Sequence, residues 1–363
     1  MHWDLFCRVV DNFGDIGVCW RLAADLAARG DAVRLWCNDA SALAWMAPGG
    51  APGVEVRPWP TEEDTSIAPG EAVIEAFGCR LPEGYLRRMA AREPRPAWIN
   101  LEYLSAEDYV ERNHGLLSPQ SSGPAQGLDK WFFYPGFGSR TGGLLREPGL
   151  ARRQSDFDPG TWLHGRGIVP APGERIVSLF CYANPALPAL LDALSAAPAL
   201  LLVTPGLAAQ QVRALIGTSN RGALRIHYLP ALTQPEYDHL LWSCDLNLVR
   251  GEDSFVRAQW AGKPFLWQVY PQDDGAHVAK LAAFHRRFLS AAAPDLAAAV
   301  LRAAEGWNGV AGASSAPEHV TRITLPPPRL WHDWQDHCRA WRAVLAALPD
   351  LTSSLRAFVL EHR

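Results

Sequence analysis

Two short stretches hold the residue types best able to do chemistry. Asp11-Asn-Phe-Gly-Asp-Ile-Gly17 sets two carboxylates and two glycines in one loop, and Arg250-Gly-Glu-Asp-Ser254 sets an arginine, two carboxylates and a hydroxyl in another. A helix beginning at Glu252-Asp253-Ser254 would leave backbone N–H groups without intrahelical partners, at the positive end of its dipole. Such an end takes anions, and the Ser254 hydroxyl with Arg257 one turn further on suits a pyrophosphate. The same residues equally describe an ordinary capped helix after a strand. In the first loop, paired carboxylates suit the gripping of a cation and the removal of a proton. Read without function, Asp15 is an N-cap and Asp11-Asn12 are turn formers.

The elements around these stretches are those of α/β domains. Leu5–Val10 reads as a strand, Val18–Arg29 as an amphipathic helix closed by Gly30, and Ala32–Cys37 as the next strand. Gly14 and Gly17 lack the spacing of a dinucleotide fingerprint. The order nonetheless places Asp11 and Asp15 at the carboxyl end of the first strand, the edge where open α/β sheets bind ligands. Strand-like runs continue at Ala72–Phe77, Ala97–Leu101 and Trp131–Tyr134; Ala47–Gly70 reads as surface loop, and Glu102-Tyr103 falls just past a strand end on the same rim.

Periodicity lapses between about Gly138 and Gly173, where the domain boundary is expected. Strands at Arg175–Cys181, Ala199–Val203, Leu224–Leu229, Asp245–Val249 and Pro264–Val269 then alternate with helices of ten to fifteen residues, a pattern of parallel sheets. The expected division is residues 1–155, 170–340 and a helical tail, 341–363, packing back on the first domain. Two Rossmann-like domains facing a cleft, with a C-terminal helix crossing back, suggest the α/β glycosyltransferase architecture called GT-B.

Composition excludes several classes. At 48% hydrophobic, 20% charged and net charge −4, the 363 residues are those of a folded chain with no general affinity for nucleic acid or anionic membrane. The seven cysteines are scattered and contain no Cys-x-x-Cys, which fits a reducing, cytoplasmic setting and no zinc framework. No basic-then-apolar leader is visible, and no apolar run is read as membrane-spanning. The adjacent acids Asp273-Asp274 read as a solvated turn rather than a metal site.

Asp11-Asn-Phe-Gly-Asp-Ile-Gly-Val-Cys-Trp-Arg-Leu-Ala23 and Arg250-Gly-Glu-Asp-Ser-Phe-Val-Arg-Ala-Gln-Trp-Ala-Gly-Lys-Pro-Phe265, continued by Tyr270-Pro-Gln-Asp-Asp274 and His277, resemble the two signatures of the EarP family, the protein-arginine rhamnosyltransferases of elongation factor P. The resemblance spans both domains in order. It implies a GT-B fold and transfer of L-rhamnose from dTDP-β-L-rhamnose to an arginine guanidine of elongation factor P, with inversion and no metal or other cofactor. It also implies catalytic Asp11, Asp15 and Glu252, and Asp253, Ser254 and Tyr182 on the donor side. The acceptor side is expected at Asn12, Phe13, Gly14 and Glu102.

The chemistry is consistent with these residues. A guanidinium is almost never neutral in water, so a carboxylate pair must hold it and one member must take a proton as the C–N bond forms. Asp15 is read as that base and Asp11 as the orienting group. Phe180 and Tyr182 offer faces to thymine, and Tyr228 lies on the same rim. Phe180 also reads as a core residue of its strand. Two other functions fit the same fold: a sugar-nucleotide 2-epimerase, and a nucleotide-sugar-binding protein without catalysis.

Overall fold

The computed structural model describes residues 1–10, 13–62, 64, 66–217, 220–272, 274–310 and 323–362. The chain forms two compact units, Met1–Pro148 with Leu345–Arg363, and Gly149–Val344.

The first unit is built on strands β1 (His2–Cys7), β2 (Ala32–Cys37), β3 (Val54–Pro58), β4 (Ala72–Ala76), β5 (Ala97–Leu101), β6 (Leu116–Pro119) and β7 (Asp129–Phe133). They lie in the order β3-β2-β1-β4-β5-β7-β6. Every neighbouring pair is parallel except β6 with β7. Strands leave β1 in one direction and β4 in the other, so the boundary between these two is the topological switch point. Both faces of the central strands are covered, so β1, β4 and β5 are buried along almost their whole length. Trp3, Leu5, Ile74 and Ile99 pack on one face, and Phe6, Val73, Trp98 and Tyr85 on the other. The helix α1 (Gly14–Ala28) follows β1 and begins a turn before the amphipathic pattern does, so Asp15 lies inside its first turn.

A fully buried Asp4 in mid-strand departs from strand composition. Its carboxylate accepts from Arg34 Nε and Nη2 at 2.6 and 2.7 Å, Trp36 Nε1 at 2.8 Å, the Gly70 amide at 2.6 Å and the Tyr85 hydroxyl at 2.5 Å. These donors satisfy a charge that would otherwise be costly to bury, and β1 accordingly begins at His2 rather than Leu5. Strands β3 and β6 are also corrections to the sequence reading. Both are edge strands with mostly exposed residues, so neither has an apolar run to betray it.

The second unit holds β8 (Arg175–Leu179), β9 (Ala199–Val203), β10 (Leu224–Tyr228), β11 (Leu246–Arg250) and β12 (Phe265–Gln268), ordered β10-β9-β8-β11-β12 and parallel throughout. Its switch point is between β8 and β11. The helix α2 (Gln234–Ser243) precedes β11, opened by a capping box of Thr233 and Glu236. The helix α3 (Asp253–Ala261) follows β11 and ends on Gly262, whose left-handed φ of 64° terminates it.

Pro328–Glu361 is long and apolar enough to cross a membrane by length and composition alone, where the sequence is read as a helical tail with no run of that length. It is divided into helices Trp331–Ala346 and Leu351–Glu361. The latter starts on Asp350, whose carboxylate accepts from the Ser353 amide at 2.8 Å. Leu351, Leu355 and Val359 are buried in the cluster formed by β1 and α1.

Candidate active site

In the first unit the candidate residues gather at the carboxyl ends of β1, β4 and β5. Asp15 is 3% exposed, and its Oδ2 accepts from the Val10 amide at 2.8 Å. Phe13, not Asp15, occupies the N-cap position of α1 and makes no side-chain capping bond. The Asp15 carboxylate is therefore not the helix cap that its place in sequence suggested. The Tyr103 hydroxyl stands 3.5 Å from Asp15 Oδ1, at the outer limit of a hydrogen bond. Tyr103 in turn stacks on Phe77, with ring centroids 4.4 Å apart and planes 15° from parallel.

Gly14 opens α1, and Phe13 meets Trp45 edge to face at 5.2 Å. Glu102 extends the β5–β7 ladder, its amide donating to the Phe133 carbonyl, and its carboxylate accepts from Asn100 Nδ2 at 2.5 Å. Burial raises the Glu102 pKa, with Asn100 and the Lys130 charge opposing the shift. Asp11 and Asn12, both expected at this site, lie outside the described residues.

In the second unit the site forms at the β8–β11 switch point. The Arg250 guanidinium lies 4.5 Å from the Phe180 ring centroid and 4.2 Å from that of Tyr182. Contacts of that kind hold a planar cation without consuming its N–H donors. The Tyr182 amide donates to Gln268 Oε1 at 2.8 Å, its carbonyl accepts from Gln211 Nε2 at 3.0 Å, and its ring meets Tyr270 edge to face at 5.3 Å. After Arg250, Gly251 turns the chain with a φ of 63° and Glu252 takes the N-cap position of α3 without a side-chain capping bond. Asp253 is the first residue of α3, and Gln234 Nε2 reaches its Oδ2 at 3.4 Å.

Three donor-side expectations are altered by this geometry. The Ser254 hydroxyl, expected toward a pyrophosphate, donates instead to the Arg250 carbonyl and accepts from the Arg250 amide at 3.1 Å. With its one proton committed to that carbonyl it has none to offer a phosphate oxygen in this state. Arg257 is 2% exposed and forms a fork with Asp238, Nε to Oδ1 at 2.8 Å and Nη2 to Oδ2 at 2.6 Å, so its guanidinium binds α3 to α2. Tyr228 ends β10, separated from β8 by β9, and its hydroxyl donates to the Gly217 carbonyl at 2.8 Å. The structure thus brings Phe180, Tyr182, Glu252, Asp253 and Ser254 to the switch point, with Tyr228 on the same carboxyl edge two strands away.

The sequence alone gives Arg250 no role and does not single out Phe77 or Gln268. Arg250 was legible as the last residue of a strand at the switch point. Gln268 left no local signal, because its role depends on the register of β12 beside β11. Among the described residues no group of three or more His, Cys, Asp or Glu could hold a metal ion. Asp274 caps its own turn, accepting from the Ala276 amide at 3.0 Å, and Asp273 lies outside the described residues.

Comparison with known proteins adds to this geometry. The family described as EarP, Elongation-Factor P (EF-P) rhamnosyltransferase, matches residues 3–360. A protein-arginine rhamnosyltransferase of Pseudomonas putida is 45% identical, with 98% of this chain and 98% of that protein aligned. A structure solved in work on EarP-mediated arginine glycosylation of translation elongation factor EF-P is 33% identical at a TM-score of 0.68, covering 100% of this chain and 99% of that one. The calicheamicin glycosyltransferase CalG4 is similar in fold, at 13% identity and a TM-score of 0.52 over 98% of each chain. The architecture is GT-B.

Proposed function

The chain belongs to the EarP family of EF-P rhamnosyltransferases, and from that premise we propose that it moves L-rhamnose from dTDP-β-L-rhamnose to an arginine guanidine of elongation factor P. The observation that carries the donor half is the Arg250 guanidinium against Phe180 and Tyr182, one turn from the N-terminus of α3. Aromatic faces suit thymine, while a fixed arginine and a helix N-terminus suit the diphosphate. Ser254 acts on the donor indirectly, by holding the backbone that carries Arg250. We read the reaction as metal-independent, since these donors supply charge stabilisation where the leaving diphosphate forms.

In the transfer step an acceptor nitrogen attacks the anomeric carbon from the face opposite the diphosphate. The C–N bond forms, the C–O bond to dTDP breaks with its electron pair leaving on the phosphate oxygen, and the β-linkage becomes α. The nitrogen's proton passes to Asp15, whose Val10 contact fixes one oxygen and leaves Oδ1 toward Tyr103. Asp11 has the orienting role in this reading, Glu252 steadies the sugar or a guanidine nitrogen, and Asp253 flanks the diphosphate. The seven free, buried cysteines suit the reducing cytoplasm in which this reading places the protein.

The test is incubation with dTDP-L-rhamnose, with and without unmodified elongation factor P, followed by mass spectrometry. Addition of one deoxyhexose to an arginine is expected. Acceptor-independent change of the sugar would replace the proposal with a 2-epimerase, and binding without turnover with a nucleotide-sugar-binding protein.

A further inference from the structure

Phe77 is the only non-glycine residue with positive φ among the described residues, at 60°. For a bulky side chain that conformation is a genuine outlier, and strain of this kind persists only where the surroundings enforce it. Here the Phe77 amide donates to the Leu101 carbonyl at 2.7 Å, and Gly78 follows with a φ of 68°. A relaxed backbone would not hold the ring in this attitude against the segment that leaves β5. The strained turn therefore fixes the stack of Phe77 on Tyr103.

That stack stands beside the acid. Tyr103 is 42% exposed, with Phe77 stacked on one face of its ring. The same hydroxyl is 3.5 Å from Asp15 Oδ1, a distance that can shorten when a ligand seats. A flat cation lying against the Tyr103 ring would meet π-electrons along its plane while its edge N–H groups reached the carboxylate. A guanidinium has that shape; an ammonium is a compact point charge that gains nothing from lying flat.

We propose that Phe77 and Tyr103 form the platform on which the acceptor guanidinium lies beside Asp15, and that this platform makes the first unit selective for arginine over lysine. The inference rests on the transferase reading above and adds to it two specificity-determining residues and a reason for the side chain chosen.

The experiment measures steady-state transfer by the full chain to elongation factor P, with dTDP-rhamnose affinity and thermal midpoint recorded for each variant. Tyr103→Leu removes the aromatic face; the acceptor KM should rise roughly 5- to 20-fold, while donor Kd stays within about twofold because no donor group is touched. Tyr103→Phe keeps the face and removes the hydroxyl, so kcat should fall with the acceptor KM little changed. Phe77→Gly removes the platform's support at a position whose φ glycine accepts, and should raise the acceptor KM without loss of donor affinity. A purely structural role would lower the thermal midpoint and leave this split between KM and kcat unmoved. If the wild-type chain modifies the acceptor and both Tyr103→Leu and Phe77→Gly keep its KM, the platform alone is overturned. If the wild-type chain modifies no acceptor, the transferase reading fails and the platform falls with it.

Discussion

Ser254 and Arg250 are tied by a reciprocal pair of hydrogen bonds, the hydroxyl donating to the Arg250 carbonyl and accepting from its amide at 3.1 Å. This joins the first turn of α3 to the last residue of β11 and fixes the backbone from which the Arg250 guanidinium reaches Phe180 and Tyr182. Ser254→Ala should therefore weaken dTDP-rhamnose binding although the hydroxyl itself is directed at the main chain. About 1 kcal/mol, or roughly fivefold in Kd, is expected for one lost internal hydrogen bond. Titration calorimetry checks this, and an unchanged Kd would mean that the Arg250 position is held by other contacts.

Arg257 and Asp238 make a buried ion pair in the second unit, two charge-assisted bonds at 2.8 and 2.6 Å with Arg257 2% exposed. Removing one member strips the other buried charge of its bidentate partner, at a cost of about 3–5 kcal/mol. Arg257→Met should lower the melting temperature of this unit by roughly 10 °C. The double variant Arg257→Met with Asp238→Leu should recover much of the loss, because a well-packed apolar pair carries no desolvation cost. Differential scanning calorimetry distinguishes the two. Equal destabilisation in single and double variants would show that shape, not charge, is what the site requires.

Much of the fold was legible because its central strands are buried on both faces and its helices are amphipathic, so Ala199–Val203 stands out as an apolar run and Ala72–Ala76 as one broken only by Glu75. Strands β3 and β6 were not, since an exposed edge strand has no apolar signature. Sequence spacing showed that Ser254 and Arg257 share a face of α3, as residues three apart do. It could not show that this face turns inward, toward Asp238 and the end of β11 rather than toward a ligand. Asp4 was opaque for a related reason: its donors come from Arg34, Trp36, Gly70 and Tyr85, and only the assembled sheet brings them together. The Phe77–Tyr103 stack likewise depends on two strand ends becoming neighbours.

His285 gives stability a pH dependence of known sign. Its ring is buried, Nδ1 donates to the Leu281 carbonyl at 2.9 Å, and burial holds the imidazole pKa down to about 4. The unfolded chain takes up this proton near pH 6.5, whereas the folded chain resists until about pH 4. The contribution is therefore complete above pH 6.5 and is lost as pH falls from 6.5 toward 4, by about 3 kcal/mol in total. His285→Gln should flatten the melting-temperature profile across that interval relative to wild type. Parallel profiles for the two proteins would show that His285 is not the group responsible.

Asp15→Asn separates chemistry from binding. Asparagine keeps the size of the side chain and can still accept from the Val10 amide through its carbonyl oxygen, so the first turn of α1 should remain in place. What it loses is the negative charge and the capacity to take a proton. If Asp15 is the base, transfer to elongation factor P should fall below detection in a mass-spectrometric assay. Calorimetric affinity for dTDP-rhamnose should stay within about threefold, because the donor-side residues Arg250, Phe180 and Tyr182 belong to the other unit and are untouched. Near wild-type transfer would remove Asp15 as base and leave the proton to another group. Loss of donor affinity comparable to the loss of transfer would instead assign the Asp15 carboxylate to the sugar, as a binding group rather than a proton acceptor.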